Sequence, residues 1–457
     1  MTKIYAARWI VPVSSPVIED GAVAVDARHI VAVGSRNSLR HQYPDAKIHD
    51  FGYAAIIPGL VNCHSHLELT AMRGYLEDVE HEFFAWLRKL TVARMTQMTS
   101  DDLYISAMCG VMENARAGIT CVGDASSAGL TSMMAVIDGG LRGHIYQEVF
   151  GPDPSAATDS FVGLHEKLTE LRSRESKLVR ASVSPHAPYT VSRPLLELVS
   201  EYAVSERLPL MIHAAESAAE ERFLKEGTGP FAEGFFQRSI EWTPPGVSTI
   251  KYLDSVGLLR TRPLLAHCIR VDEEDVQLIK STGSGIAHCP KSNAKLFHGR
   301  APFAAFLRAG VKVGLGSDSV ASNNCSDMFE EGRFATLLAR SVQSAVEDGL
   351  TVTAEHALWA ATLGGASAMG LDDRIGSLEP GKDADLAVVS FNAIHQQPVY
   401  DPLSTLIFSS SGGDVLMTMV AGREIYRDGV FDKIDTERFL FRLSEIQQKL
   451  AGGRTDV

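Results

Sequence analysis

The sequence has no cysteines spaced Cys-x-x-Cys, no run of lysines and arginines, and no apolar stretch approaching the ~20 residues needed to span a bilayer. Each absence excludes something. The six cysteines (Cys63, Cys109, Cys121, Cys268, Cys289, Cys325) are scattered, several of them inside apolar runs. That suits buried thiols in a reducing compartment rather than a disulfide framework. A formal net charge of −13 with no basic footprint argues against DNA or RNA as a partner, because phosphate binding is carried by clustered Lys and Arg. The opening Met1-Thr2-Lys3-Ile4-Tyr5 lacks the apolar core and small-residue cleavage site of a secretory signal. The expectation is a soluble cytoplasmic protein that engages neither nucleic acid nor membrane. Homo-oligomerisation stays open, since a self-complementary patch cannot be seen in a sequence.

What is present is enough apolar material, 45% of 457 residues, for one large domain with a smaller satellite. Residues 1–56 alternate apolar and polar positions in short runs, as in Ala22 to Val25, the turn Asp26 to His29 and Ile30 to Gly34. These are hairpin signals. The far end, 371–457, reads similarly: the turn-rich Gly376 to Asp385 leads into Leu386 to Val389, and Leu416 to Val420 pairs with Glu424 to Tyr426 around Ala421-Gly422. Two β fragments at opposite ends of the chain are expected to complete one small composite β-sandwich, with Gly452-Gly453-Arg454 as a frayed tail.

Between them, residues 57–370 alternate strand and helix signals, which predicts βα units around a parallel sheet. The apolar runs are Ala55 to Val61, Ile119 to Val122, Gly143 to Val149, Val179 to Val183, Pro209 to Ile212, Pro263 to Ala266, Gly285 to Ala287 and Val311 to Leu315. Amphipathic stretches lie between them, among them Leu103 to Ala115, Pro194 to Glu206 and Pro302 to Ala309. Eight such units predict an α/β fold, a (β/α)8 TIM-like barrel, with its chemistry at the C-terminal ends of the strands. A further helix opens at the N-cap Thr353 and is weakened at its far end by Gly364-Gly365.

Polar chemistry follows these runs in turn: His64 and His66, then Asp124, His186, His213 with Glu216, His267, His288 and Asp318. A single buried histidine is usually a packing residue, but five of eight strands ending in histidine is hard to attribute to packing. Imidazole nitrogens and a carboxylate suit Zn²⁺, with Fe²⁺ suited to the same donors, and a catalytic site leaves a position open for water. His64, His66, His213 and Asp318 are assigned as ligands to one divalent ion, which would lower the pKa of its water. Glu216, three residues past His213, could shuttle a proton. His267 could hydrogen-bond the nucleophile or the developing oxygen, and Asp318 could also accept the water's proton. The bland reading of Glu216 is a first-turn glutamate on a solvated helix face.

These residues resemble the metal-dependent amidohydrolase superfamily, in its branch of mononuclear nucleoside and s-triazine aminohydrolases. The pieces that carry the resemblance are Pro58 to His66, Ser184-Pro185-His186-Ala187-Pro188-Tyr189-Thr190, His213-Ala214-Ala215-Glu216, Ala266-His267-Cys268, His288 to Asn293, Gly314 to Ser319 and Gly376 to Asp385, in family order over nearly the whole chain. The resemblance implies the same ligand set and a barrel with a composite sandwich. It also implies hydrolytic deamination, in which hydroxide attacks an amino-bearing ring carbon, Glu216 protonates the ring nitrogen and then the departing ammonia, and His186 contacts the substrate. No lysine suited to bridging two metals follows the fourth strand, which favours one ion.

For substrate, Met72-Arg73-Gly74-Tyr75 and the Ser322 to Glu330 passage resemble deaminases of methylthioadenosine and adenosylhomocysteine. The substrate-binding glutamate expected after Trp86-Leu87 falls near Val92 and Ala93, neither of which can hold a ribose. His64 to Thr70 followed by Phe83 to Leu87 looks more like aminodeoxyfutalosine deaminases. The reading is therefore an adenine nucleoside with a bulky 5′ group, with Glu68 and Arg73 as further substrate contacts. Alternatively, Glu68 pairs with Arg73 on the rim. Competing readings are hydrolysis of an s-triazine or other heterocycle with displacement of chloride or an alkylamine, where Glu216 argues for a leaving group that needs a proton, as ammonia does and chloride does not, and a non-catalytic barrel scaffold.

Overall fold

The computed structural model describes residues 1–342 and 350–452; Gly453 and Arg454 lie outside the described residues. Eight parallel strands form the barrel: β1 (Leu60–Ser65), β2 (Ile119–Ser126), β3 (Arg142–Val149), β4 (Val179–Pro185), β5 (Met211–Ala214), β6 (Leu264–His267), β7 (Gly285–His288) and β8 (Lys312–Leu315). They run as two four-stranded parallel sheets, β1 to β4 and β5 to β8. Parallel bridges Val183↔Leu210 and Ser65↔Asp318 join the sheets edge to edge and close the ring. The second closure includes Asp318 N–H donating to the His64 carbonyl at 2.8 Å, so the barrel is sealed at the point where candidate ligands from the first and last strands meet.

The run expected as one strand over Ala55 to Val61 is two. Ala54–Pro58 belongs to a separate sheet and β1 begins at Leu60. Gly59 stands at the break, where its N–H donates to the Asp385 carbonyl at 2.9 Å and a side chain would run into Thr120. An apolar run therefore continues through a change of sheet, because both sheets bury their inner faces here. Hydrophobicity cannot register such a break.

That separate sheet is the composite unit expected from both chain ends. It has nine strands, and Ala54–Pro58 pairs in parallel with Lys3–Ile10 on one side and antiparallel with Leu386–Ser390 on the other. It is pinned to the barrel by Arg142, at the start of β3 and 2% exposed, whose guanidinium donates to Asp385 at 2.9 and 3.0 Å and to Asp383 at 2.8 Å.

The helices form where expected, with boundaries set by their caps. Ser100–Arg116 opens on a Thr99 capping box, Arg193–Glu206 carries Pro194 in its first turn, and Pro302 is the N-cap of Phe303–Ala309 rather than its first residue. Gly364 and Gly365 do not end a helix. They sit inside Leu363–Ala368, which packs across the barrel's floor so closely that a side chain on Gly365 would meet Val61 and Cys63. Among the described residues no helix is long and apolar enough to cross a membrane.

Two insertions rise over the C-terminal mouth. After β1, a short 3-10 segment leads to the helix Phe83–Gln97; after β5 come Ala218–Glu226 and Pro230–Gln237. Phe83 and Tyr189 both pack on Phe231, Tyr189 in a stack with centroids 4.0 Å apart. The two insertions thus share one aromatic wall.

Candidate metal centre and active site

An extended chain turns residues i and i+2 to the same face, and the chain at the end of β1 delivers His64 and His66 side by side, with rings 4.9 Å apart and nearly perpendicular. β5 brings His213, whose Nε2 lies 3.4 Å from His66 Nε2. Asp318, just past β8, places Oδ1 3.4 Å from His64 Nε2 and 3.5 Å from His66 Nε2. Tetrahedral coordination at 2.0–2.1 Å would set neighbouring donor atoms about 3.3 Å apart, so these spacings are those of a ligand cage.

The protonation states agree. Burial pushes the His64, His66 and His213 pKa values down, leaving neutral imidazoles whose lone pairs are free. His213 is oriented by its Nδ1–H, which donates to the His186 carbonyl at 2.8 Å. Asp318 accepts from Ser292 Oγ at 2.5 Å, Ser322 Oγ at 3.1 Å and Ser319 N–H at 2.7 Å, an arrangement that favours its ionised form. His64 Nε2 is buried with no hydrogen-bond partner among the described residues, a cost that a cation would relieve. The residues present fit a single divalent ion.

Beside this quartet stands Glu216, 3% exposed. Its Oε1 is 3.6 Å from both His267 Nε2 and His298 Nε2, and its Oε2 accepts from the Tyr189 hydroxyl at 3.4 Å. Burial pushes its carboxyl up to about 7. Glu216 is therefore no solvated helix glutamate: it precedes Ala218–Glu226, and its backbone N–H is held by the buried Glu220 at 2.8 Å. His267 is fixed from behind, with Nδ1 2.9 Å from Asn293 Oδ1. With Nδ1–H donating there, Nε2 carries the lone pair toward the site. Ala215, His267 and Asp318 all have positive φ (53°, 75° and 57°), a conformation costing non-glycine residues ~1–2 kcal/mol each. Such strain gathers where a side chain must be aimed.

The site opens into a cavity of about 780 Å³. His186 lines it, with its Nδ1 2.8 Å from Thr190 Oγ1 and its ring stacked on Phe150 at 4.6 Å. Glu68 also lines it, but it pairs with Arg94 at 3.1 Å and accepts from Ala128 N–H at 2.9 Å and from Ser126 Oγ. The expected alternative, a Glu68–Arg73 pair, does not form. Arg73 is not part of the cavity wall: it turns outward to Glu113 and the Asn324 carbonyl, because the 3-10 segment Leu67–Met72 carries it past the rim. The arginine on the cavity wall is Arg94.

Other residues escaped the sequence reading. Asn293 and His298 are 1% and 5% exposed and touch His267 and Glu216. Tyr189 lay within a quoted motif without being singled out. Arg94 and Glu148 give no local signal at all, since a helix arginine and a strand glutamate read as solvated. His288 stacks on Phe303 at 5.2 Å and belongs to none of the ligand groupings among the described residues. Asp124 lies beneath the site and ties β2 to β1 by accepting from Leu67 N–H at 2.7 Å and Ser65 Oγ at 3.1 Å.

A closed barrel whose strand ends gather three imidazoles and a carboxylate round one point, with an acid group beside them, defines a hydrolase of the metal-assisted kind. Comparison with known proteins agrees. The chain matches the amidohydrolase family over residues 55–425, and over residues 21–46 the imidazolonepropionase-like composite domain of bacteria. It is 34% identical over 438 residues to a 5-methylthioadenosine/S-adenosylhomocysteine deaminase of Nitratidesulfovibrio vulgaris, with 94% of this chain and 93% of that protein covered. The crystal structure of an adenosine deaminase from Xanthomonas campestris with bound zinc superimposes with a TM-score of 0.85 at 29% identity, covering 98% of both chains. An atrazine chlorohydrolase from Arthrobacter aurescens complexed with zinc does so with a TM-score of 0.83 at 22% identity, covering 97% of this chain and 99% of its own, a likeness of fold alone. The chain belongs to the amidohydrolase family, and it is a hydrolase acting on carbon–nitrogen bonds.

Proposed function

We propose that the protein is a metal-dependent hydrolytic deaminase of an adenine nucleoside substituted at the 5′ position. This is the class of 5′-methylthioadenosine and S-adenosylhomocysteine, with aminodeoxyfutalosine a further member. The observation that carries the reading is the buried Glu216 carboxyl, held near neutrality beside His267 at the cavity's metal end. Deamination needs a proton for a ring nitrogen and then for departing ammonia, whereas chloride leaves without one. The deaminase named for the Nitratidesulfovibrio vulgaris relative, matched along nearly its whole length, supports the same class.

His64, His66, His213 and Asp318 hold one divalent ion, Zn²⁺ first and Fe²⁺ next, which when bound supplies an acidified water at neutral pH. The His267 Nε2 lone pair, fixed by Asn293, accepts a hydrogen bond from the attacking water and aims it. Glu216 carries one of the water's protons to the ring nitrogen as the amino-bearing carbon becomes tetrahedral, and then passes the second, released from the new hydroxyl, to the amino group as the carbon–nitrogen bond breaks. Water is consumed and ammonia released. His186 and Phe150 offer a stacked aromatic surface for the base.

Ammonia release should be measured from 5′-methylthioadenosine, S-adenosylhomocysteine, adenosine, aminodeoxyfutalosine and atrazine. Turnover of at least one nucleoside and none of atrazine is expected. Dechlorination of atrazine without ammonia release from any nucleoside would remove the reading.

A further inference from the structure

Glu148 is the penultimate residue of β3, so its side chain lies at the active end of the barrel, 6% exposed on the wall of the catalytic cavity. Its Oε2 accepts from Ser127 Oγ at 2.7 Å. Its Oε1 is buried with no hydrogen-bond partner among the described residues. A buried carboxylate oxygen without a donor is costly, and the neighbouring groups do not offer one. Arg94 donates to Glu68, whose other oxygen is satisfied by Ser126 and Ala128.

A second metal is also excluded, although Glu148, His186 and His213 lie within ligand reach of one another. His213 spends Nδ1 on the His186 carbonyl and turns Nε2 to His66, while His186 spends Nδ1 on Thr190. Too few free donors remain to enclose a second ion. The missing donor must come from what enters the cavity.

An adenine nucleoside has few donors to give. Its base carries one amino group, which in the reaction proposed above sits at the metal end beside Glu216. The donors that remain in every member of the class are the sugar hydroxyls, since 5′-methylthioadenosine, unlike S-adenosylhomocysteine, has no donor on its 5′ group. We propose that Glu148 is the sugar-recognition residue: Oε1 accepts a hydrogen bond from the ribose diol, Ser127 holds the carboxylate in place, and the site thereby selects ribonucleosides over deoxynucleosides. This rests on the deaminase reading.

The test uses the metal-loaded full-length protein with 5′-methylthioadenosine and its 2′-deoxy and 3′-deoxy analogues. Losing a hydrogen bond to a charged group should lower kcat/KM ~10- to 100-fold for at least one deoxy analogue. Sugar hydroxyls gain no charge in the transition state, so the loss should fall on KM with kcat nearly kept. Glu148→Met, close in volume and without an acceptor, should bring the ribonucleoside down to the deoxy level and abolish the ratio. Glu148→Gln, which keeps a neutral acceptor, should retain part of it. Equal treatment of all three substrates by the wild type overturns the assignment, as does a folded Glu148→Met that keeps the wild-type ratio. If that variant does not fold, the wild-type comparison and Glu148→Gln decide. A wild type that releases no ammonia from any of the three overturns the deaminase reading itself, and is distinct from activity without sugar selection.

Discussion

Replacing Glu216 by glutamine preserves its shape and its contact with Tyr189 but leaves no proton to transfer. Because Glu216 stands beside the ligand quartet and outside it, the variant should keep its metal, read by elemental analysis, while kcat falls ~10²- to 10⁴-fold. Unchanged turnover would remove Glu216 from the mechanism. Asn293→Ala tests the layer behind: it frees His267 Nδ1, held at 2.9 Å, and should cost ~10- to 100-fold in kcat with metal content unaltered. At this scale the candidate site divides cleanly. His64, His66, His213, Glu216, His267 and Asp318 could be named because each follows an apolar run, and the structure brings all six together. Asn293, His298, Tyr189 and Glu148 could not, since their local sequence is that of loops and solvated strand ends. Arg73, named from the resemblance of the Met72 to Tyr75 passage, faces Glu113 instead of the cavity.

At the scale of elements, the motif around β1 does more than present two histidines. Asn62 Nδ2 donates to Ser317 Oγ at 2.8 Å and to Asn114 Oδ1 at 3.1 Å, while Ser317 N–H donates back to Asn62 Oδ1 at 2.9 Å. The first strand is thereby clasped to the last just below the ligand quartet. Gly59 permits the chain to leave one sheet and enter the other, with Thr120 filling the space where its side chain would be. Gly59→Val should therefore destabilise the fold by ~1–3 kcal/mol through overpacking, read as a lowered denaturation midpoint. A midpoint equal to wild type would mean that the joint can relax. Strand and helix identities were legible here because periods of two and of about 3.6 survive in short windows. The break at Gly59 and the helix through Gly364-Gly365 were not, because both depend on how closely another backbone approaches.

Across the whole molecule, the barrel and composite sheet are joined by buried charge. Arg142, Arg28 and Arg374 meet Asp383, and Arg142 also meets Asp385. Burial alone would raise the Asp383 carboxyl, but Arg28, Arg142 and Arg374 outweigh it and hold it at about 2. A carboxyl depressed on folding contributes stability that is complete above its unfolded value, ~4, and that is lost as pH falls from there through about 2. Arg142→Met takes from buried Asp385 its arginine and from Asp383 one of three, and should cost ~3–5 kcal/mol at neutral pH. The variant should also lose part of the acid dependence, measured by denaturant unfolding from pH 5 downward. An unshifted midpoint would show that Arg28 and Arg374 suffice.

The order of apolar runs and turn signals by itself determined the architecture: eight βα units and a β unit divided between the chain ends, with histidines and an aspartate at the strand ends. Those features are written in periodicity and spacing, which each stretch of chain carries alone. Only the tertiary structure decided which arginine faces the cavity, which asparagine holds His267, and that a carboxylate oxygen of Glu148 is left without a partner. Donor and acceptor matching across a closed ring depends on distances between residues far apart in the chain, and local sequence does not encode them.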